Sequence, residues 1–248
     1  MNIEIDVVQL NATDTAARMA YVQALIAECQ ARARDITPKL ETVISAYWTE
    51  TDTKVKEAIL VLILQAGRNH QVHQLCQSER ISTSSFVREK SVWYLARYYP
   101  DTAIDLYREQ ADDPYFKVRF WIATRLEEYN LPAAIELYLS VWADPAAPPD
   151  LREGIENDLA LIGNQETIPE LRRLAKCVGG ENLLIVVWRI ERRLAVEYLE
   201  PPTKPSERYF VKTIACSQCG RTLTVDSRYM GARARCKECG SEFKVPHW

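Results

Sequence analysis

Val55-Lys56, Val87-Arg88, Val118-Arg119 and Leu151-Arg152 are four copies of one dipeptide, an apolar residue followed by a base, each at the start of an expected helix. The intervals between them are 32, 31 and 33 residues. A fifth, degenerate copy falls 33 residues further on at Leu184, where Ile185 replaces the base. Self-similarity at a fixed period marks a stacked array of helical units. A single helix pair cannot bury its own apolar face, so its neighbours must cover it and the array folds together.

Working outward from the dipeptides, breakers separate the helices: Thr51-Asp52, Gly67, Tyr99-Pro100-Asp101, Asp112-Asp113-Pro114, Asn130-Leu131-Pro132, Pro145 to Asp150, Gly163-Asn164 and Gly179-Gly180. Thr37-Pro38 suits a helix start. These signals predict helix pairs at about 37–50 with 54–66, 69–79 with 84–99, 101–111 with 115–129, 131–143 with 150–162 and 166–177 with 181–199. Upstream, Met19, Val22, Leu25, Ile26 and Cys29 share one face of a helix capped by Thr13 or Asp14. Residues 3–8 alternate apolar and acidic, a short strand-like period that fits an edge strand or an extended tail.

The segment Asp113-Pro114-Tyr115-Phe116-Lys117-Val118-Arg119 resembles the inter-helix turn of the HEAT-like repeat family, an Asp-Pro turn leading into Val-Arg. The resemblance implies a curved superhelix that serves mainly as a scaffold for protein or nucleic-acid partners. It departs from the family at Val87, which no Asp-Pro precedes, and in the long Pro-rich turn of the fourth unit.

Three prolines at 201, 202 and 205 stop the array and predict a short, stiff linker. Beyond it lie Cys216-Ser-Gln-Cys219 and Cys236-Lys-Glu-Cys239, two knuckles separated by 16 residues. That is the spacing of a four-cysteine zinc site. Gly220 and Gly240 follow the second cysteine of each knuckle, where a positive φ brings backbone N–H groups to the sulfurs. Apolar and β-branched residues flank the knuckles and predict short strands: Tyr209, Phe210, Val211, Ile214, Leu223, Val225, Phe243 and Val245. The segment resembles a zinc ribbon, and Tyr229 to Cys236 is similar to a stretch found in small bacterial zinc ribbons fused to other modules. The resemblance implies that Cys216, Cys219, Cys236 and Cys239 bind one structural Zn2+. Four thiolates leave no open position for a reacting water.

The expected fold is therefore mostly α: an α-solenoid of HEAT-like pairs and then a small β zinc ribbon. The divisions are 1–36 (extension and capping helix), 37–200 (array), 201–207 (linker) and 208–248 (ribbon). The net charge of -3 conceals an asymmetry. Residues 204–248 carry nine bases and four acids, whereas the first 203 residues carry 22 bases and 30 acids. Body and tail can attract each other or select different partners. Arg221, Arg228, Arg233, Arg235, Lys237 and Lys244 are the candidates for phosphate or partner contact, with Tyr229 and Trp248 as stacking groups. The ladder Lys56, Arg88, Arg119 and Arg152 either reads a partner's acidic groups or joins each base to an Asp or a carbonyl in the adjacent turn.

The remaining signals carry less. His70, His73 and Cys76 converge poorly for a metal. Trp48, Trp93, Trp121, Trp142 and Trp188 recur without a pattern that marks a catalytic cleft. The acids in Met1 to Asp6 do not suit a signal peptide, and the longest apolar run, 58–64, is too short to span a membrane. Cys29, Cys76 and Cys177 read as buried thiols in a reducing compartment, so the cytoplasm is expected. The expected function is a non-enzymatic adaptor that holds a protein partner on the concave face lined by second helices, with a second contact through the ribbon. The alternatives are a nucleic-acid-binding subunit and a HEAT-like lyase or glycosylase. Partner identity and oligomeric state are not legible.

Overall fold

A computed structural model describes residues 3–32, 35–178, 180–200 and 211–247. The linker at 201–207, Tyr209, Phe210, Gly179 and Trp248 lie outside the described residues. The described residues are 63% helical, with small antiparallel sheets toward the C-terminus. It divides into two compact units, Met1–Leu137 and Tyr138–Trp248.

In the first unit the helices are α1 (Val7–Leu10), α2 (Thr15–Arg32), α3 (Leu40–Thr49), α4 (Thr53–Leu64), α5 (His70–Glu79), α6 (Ser85–Tyr98), α7 (Ala103–Gln110) and α8 (Phe116–Leu126). Helix α9 (Leu131–Trp142) runs across the division between the units. Of the two readings of residues 3–8, an edge strand or an extended tail, the structure shows the second at 3–6, as an extended lead-in to α1. Asp6 caps that helix through the N–H groups of Val8 and Gln9, while Ile3 and Leu10 enter the core. Of the alternating apolar residues Ile3 is buried, whereas Val7 is exposed.

Helix α2 packs on α4, α4 on α6 and α6 on α8, while α3, α5 and α7 each pack on the helix that follows. Residues such as Ile59, Leu60, Leu62 and Ile63 are buried because α4 is covered by α2, α3 and α6. Burial on several sides is what the continuous apolar run of residues 58–64 requires. Local chemistry sets the helix starts. Asp52 caps α4 by accepting from Lys54 and Val55, Asn69 caps α5, and Ser84 caps α6. The buried Glu57 of α4 accepts the Ser84 hydroxyl at 3.0 Å, which ties one helix start to the body of its neighbour.

The second unit contains α10 (Pro149–Ile162), α11 (Thr167–Val178) and α12 (Glu181–Leu194), followed by β1 (Val196–Tyr198), β2 (Val211–Ala215), β3 (Thr222–Asp226), β4 (Arg233–Cys236) and β5 (Glu242–Lys244). Helices α10 and α11 both pack on α12. Strands β2 and β3 form a hairpin, and β4 lies between β1 and β5. The last helix thus ends at Leu194 rather than 199. Val196 and Tyr198 leave it to pair with Cys236 and Ala234 of β4. The β-branched Val196 and aromatic Tyr198 take a half-buried sheet edge, and three residues of strand replace one turn of helix. Cys177 is exposed, a correction to its expected burial, because α11 turns Leu171, Leu174 and Ala175 inward instead.

Candidate metal centre

The two knuckles are built alike. In the first, the Gly220 N–H donates to the Cys216 carbonyl at 2.9 Å, and in the second the Gly240 N–H donates to the Cys236 carbonyl at 2.8 Å. Gly220 and Gly240 have φ of 72° and 74°, so each tight turn uses the left-handed region that a glycine enters without a Cβ penalty. Each knuckle closes with a second bond, Cys216 N–H to Arg221 O at 2.8 Å and Cys236 N–H to Ser241 O at 2.9 Å.

These turns converge the sulfurs. The Sγ atoms of Cys216, Cys219, Cys236 and Cys239 all lie within 4.8 Å of one another. Cys216 and Cys239 are 3.6 Å apart, and Cys219 and Cys236 are 3.9 Å apart. Thiolates on a common tetrahedral centre with bonds of about 2.3 Å stand about 3.8 Å from each other. The four sulfurs can therefore hold one metal ion. The Ser241 hydroxyl sits 3.2 Å from Cys216 Sγ and 3.1 Å from Cys239 Sγ. Its hydrogen bond, with the backbone N–H groups of Cys219 and Gln218, lowers the Cys216 thiol to about 6 and favours the thiolate that ligation needs. Sequence reading passed over Ser241; a hydroxyl two residues after the last cysteine was the available signal.

Cys216 and Cys236 are buried, whereas Cys219 and Cys239 face outward. The buried pair lies in a core with Ala195, Val196, Leu223, Val225, Ala234 and Val245, and Tyr198, Ile214, Tyr229 and Phe243 pack around it. Ala195 and Val196 come from the end of the last helix and from β1. Tyr198 stacks on Tyr229 at 3.7 Å, and its hydroxyl accepts the Asp226 N–H at 2.8 Å. Tyr229, a candidate for stacking on a base, faces Tyr198 instead.

The ribbon's arginines face carboxylates. Arg221 meets Glu238 at 2.7 Å, Arg228 meets Asp226 at 2.5 Å, Arg233 meets Glu200 at 2.7 Å, and Arg235 meets Glu242 at 2.9 Å. Lys237 and Lys244 are exposed and form no ion pair among the described residues.

The bases of the helical ladder are turned into the fold. Arg88 makes a two-pronged contact with Asp113, Nε to Oδ2 at 2.8 Å and an Nη to Oδ1 at 3.0 Å, and its other Nη donates to the carbonyls of Ser82 and Thr83. Arg152 donates to the Asp144 carbonyl at 2.8 Å. Lys56 Nζ lies 4.6 Å from the centre of the Tyr47 ring. Arg119 holds the same place on α8 and is half-buried.

A further member of the series is Arg18. It grips Glu50 with two prongs, at 2.8 and 3.1 Å, and donates to the carbonyls of Ala12 and Thr13. Arg18 and Arg88 hold carbonyls at the same offsets, five and six residues back. Their carboxylates also match: Glu50 accepts the N–H groups of Thr51 and Asp52, and Asp113 accepts that of Tyr115. Counted from the helix start, Arg18, Lys56, Arg88, Arg119 and Arg152 are all the fourth residue, of α2, α4, α6, α8 and α10. Sequence reading missed Arg18 because Ala17 replaces the branched residue and the interval to Lys56 is 38 rather than about 32. The same count moves the fifth copy. The third residue of α12 is Leu183, fully buried, so Leu184 stands where the other helices carry the base.

Compared with protein-family models and with curated proteins, the chain matches none.

Proposed function

We propose that this chain is a non-enzymatic scaffold, a HEAT-like solenoid whose second helices present a face to a partner protein, ended by a zinc ribbon that supplies a second contact. The observation that carries this reading is where the reactive-looking groups go. The ladder arginines Arg18, Arg88 and Arg152 bind carboxylates or carbonyls of adjacent turns, which is the contact a stack of repeats asks for. The four sulfurs form a closed set, and zinc is the ion such a tetrahedral thiolate set suits, in a structural role.

The reading includes a reducing compartment such as the cytoplasm, because Cys29 and Cys76 are buried unbridged thiols. Among the described residues no helix is long and apolar enough to cross a membrane. Nucleic-acid binding through the ribbon is the weaker reading, since it would require Arg233 and Arg235 to give up Glu200 and Glu242.

The test is affinity capture with the native protein and with Cys216→Ser, in parallel with metal analysis. The scaffold reading expects about one zinc per chain. It also expects a defined protein partner that survives nuclease and high salt, with weaker retention by Cys216→Ser. Capture that disappears on nuclease treatment would move the assignment to nucleic acid.

A further inference from the structure

The helical series ends in an apolar substitution. Position four of α12 is Leu184, where five earlier helices carry Lys or Arg. In the first unit that base reaches forward. Arg18 holds the turn before α4, and Arg88 holds the turn before α8. After α12 the chain enters β1, and no further α-helix follows among the described residues. Leu184 is 51% exposed, Ile185 51% and Trp188 44%, although α12 buries Leu183, Val186, Val187 and Ile190 against its neighbours. Three large apolar side chains thus lie together on the outer face of one helix.

The charges on that face have an order. Glu181, Ile185, Trp188 and Arg192 follow at intervals of four, three and four residues, so they form one stripe. The acid begins the stripe and the base ends it. Arg192 lies against the Trp188 ring, 3.2 Å from its centre, and neither Glu181 nor Arg192 forms an ion pair among the described residues. Such a stripe complements itself when a second copy runs antiparallel. A two-fold axis between Ile185 and Trp188 sets Ile185 against the partner's Trp188, and Glu181 against the partner's Arg192. Leu184 then packs beside the partner's Trp188, because both side chains lie on the same flank of the stripe.

We propose that the outer face of α12 is a self-association surface, on which two copies of this chain pair antiparallel through Leu184, Ile185 and Trp188, with Glu181 and Arg192 setting the register. Helix α12 is a second helix of its pair, so this surface is the last part of the partner face and the proposal rests on the scaffold reading, with a second copy as the partner at this end. The patch is small for an interface, so the dimer is weak and forms in the micromolar range.

Sedimentation equilibrium of the full, metal-loaded protein over a concentration series tests this. The wild type should dimerise. Trp188→Glu should raise the dissociation constant by about tenfold or more, as should Leu184→Glu. The circular dichroism should not change, because both side chains are exposed. Glu181→Arg and Arg192→Glu should each weaken the dimer, and the doubly reversed protein should return to within about threefold of wild type, since each charge again meets its opposite. A wild type that stays monomeric up to about 100 μM overturns the proposal. So does a dimer indifferent to Trp188→Glu, or a double reversal that fails to restore what the single reversals remove.

Discussion

Asp113 sits 7% and Arg88 14% exposed at their side chains, so removing either leaves its partner's charge largely out of water. Asp113→Ala should lower stability by about 2–3 kcal/mol, read as a lower urea midpoint with an unchanged slope. Replacing the pair together, Arg88→Met with Asp113→Leu, should recover much of that loss, because no lone charge remains. Glu50 makes the parallel contact titratable. Burial would raise its carboxyl, but the Arg18 guanidinium and the N–H groups of Asp52 and Thr51 outweigh it and leave the carboxyl below its ordinary value. A lowered carboxyl contributes stability above its unfolded value of about 4.3, and that contribution is lost as pH falls through the lower folded value. Acid unfolding should therefore begin below about pH 4.3, and Glu50→Gln should flatten that limb of the curve while costing stability at neutral pH. Gly163 has a different constraint. A Cβ there would stand 2.5 Å from the Leu159 carbonyl oxygen and 2.6 Å from Ile190 Cδ1. Gly163→Ala should destabilise the second unit by about 1–3 kcal/mol, again visible in urea.

The C-terminal helix leads directly into the cysteine-bearing sheet and packs on the ribbon. Val196 pairs with Cys236, the Lys237 N–H donates to the Ala195 carbonyl at 2.9 Å, and β3 packs on α12. Removing metal from the four sulfurs should therefore loosen more than the ribbon. Chelation, or Cys216→Ser, should raise hydrogen exchange at Ala195 to Leu199 and in the last turn of α12, with little change in α2 to α6. Unaltered exchange at the end of α12 would show that helix and ribbon are independent. At this scale the chain was legible where local chemistry decides the outcome. The caps at Asp14, Asp52 and Ser84 put α2, α4 and α6 within a residue or two of the expected starts. The end of α12 was not legible, since Ala195-Val196-Glu197-Tyr198 continues an acceptable helical pattern and only β4, some 40 residues later, offers it a sheet edge.

For the whole molecule, the basic tail is less available than its composition suggests. Four of six candidate bases in the ribbon face carboxylates, which leaves Lys237 and Lys244 for phosphate. Each phosphate contact contributes a slope of roughly 0.7–0.9 in log affinity against log salt. Binding of single-stranded DNA or RNA should then fall by no more than about tenfold between roughly 50 and 200 mM salt. A steeper loss in a filter-binding titration would mean that the arginines leave their carboxylates for the nucleic acid. The scaffold reading predicts the shallow case, together with a protein partner whose retention does not depend on salt.

Sequence alone determined the mostly helical class, the period of about 32 residues and the convergence of Cys216, Cys219, Cys236 and Cys239. Each is written in short-range pattern: capping residues, apolar spacing, and glycines that close a knuckle. Tertiary structure decided which bases face inward, that Arg18 belongs with them, and that Leu184 stands in the place of a base. A base looks the same in sequence whether its guanidinium meets water or a carboxylate 25 to 32 residues away, as with Arg88 and Asp113 or Arg18 and Glu50. Only the packing of one helix start against the next turn distinguishes the two.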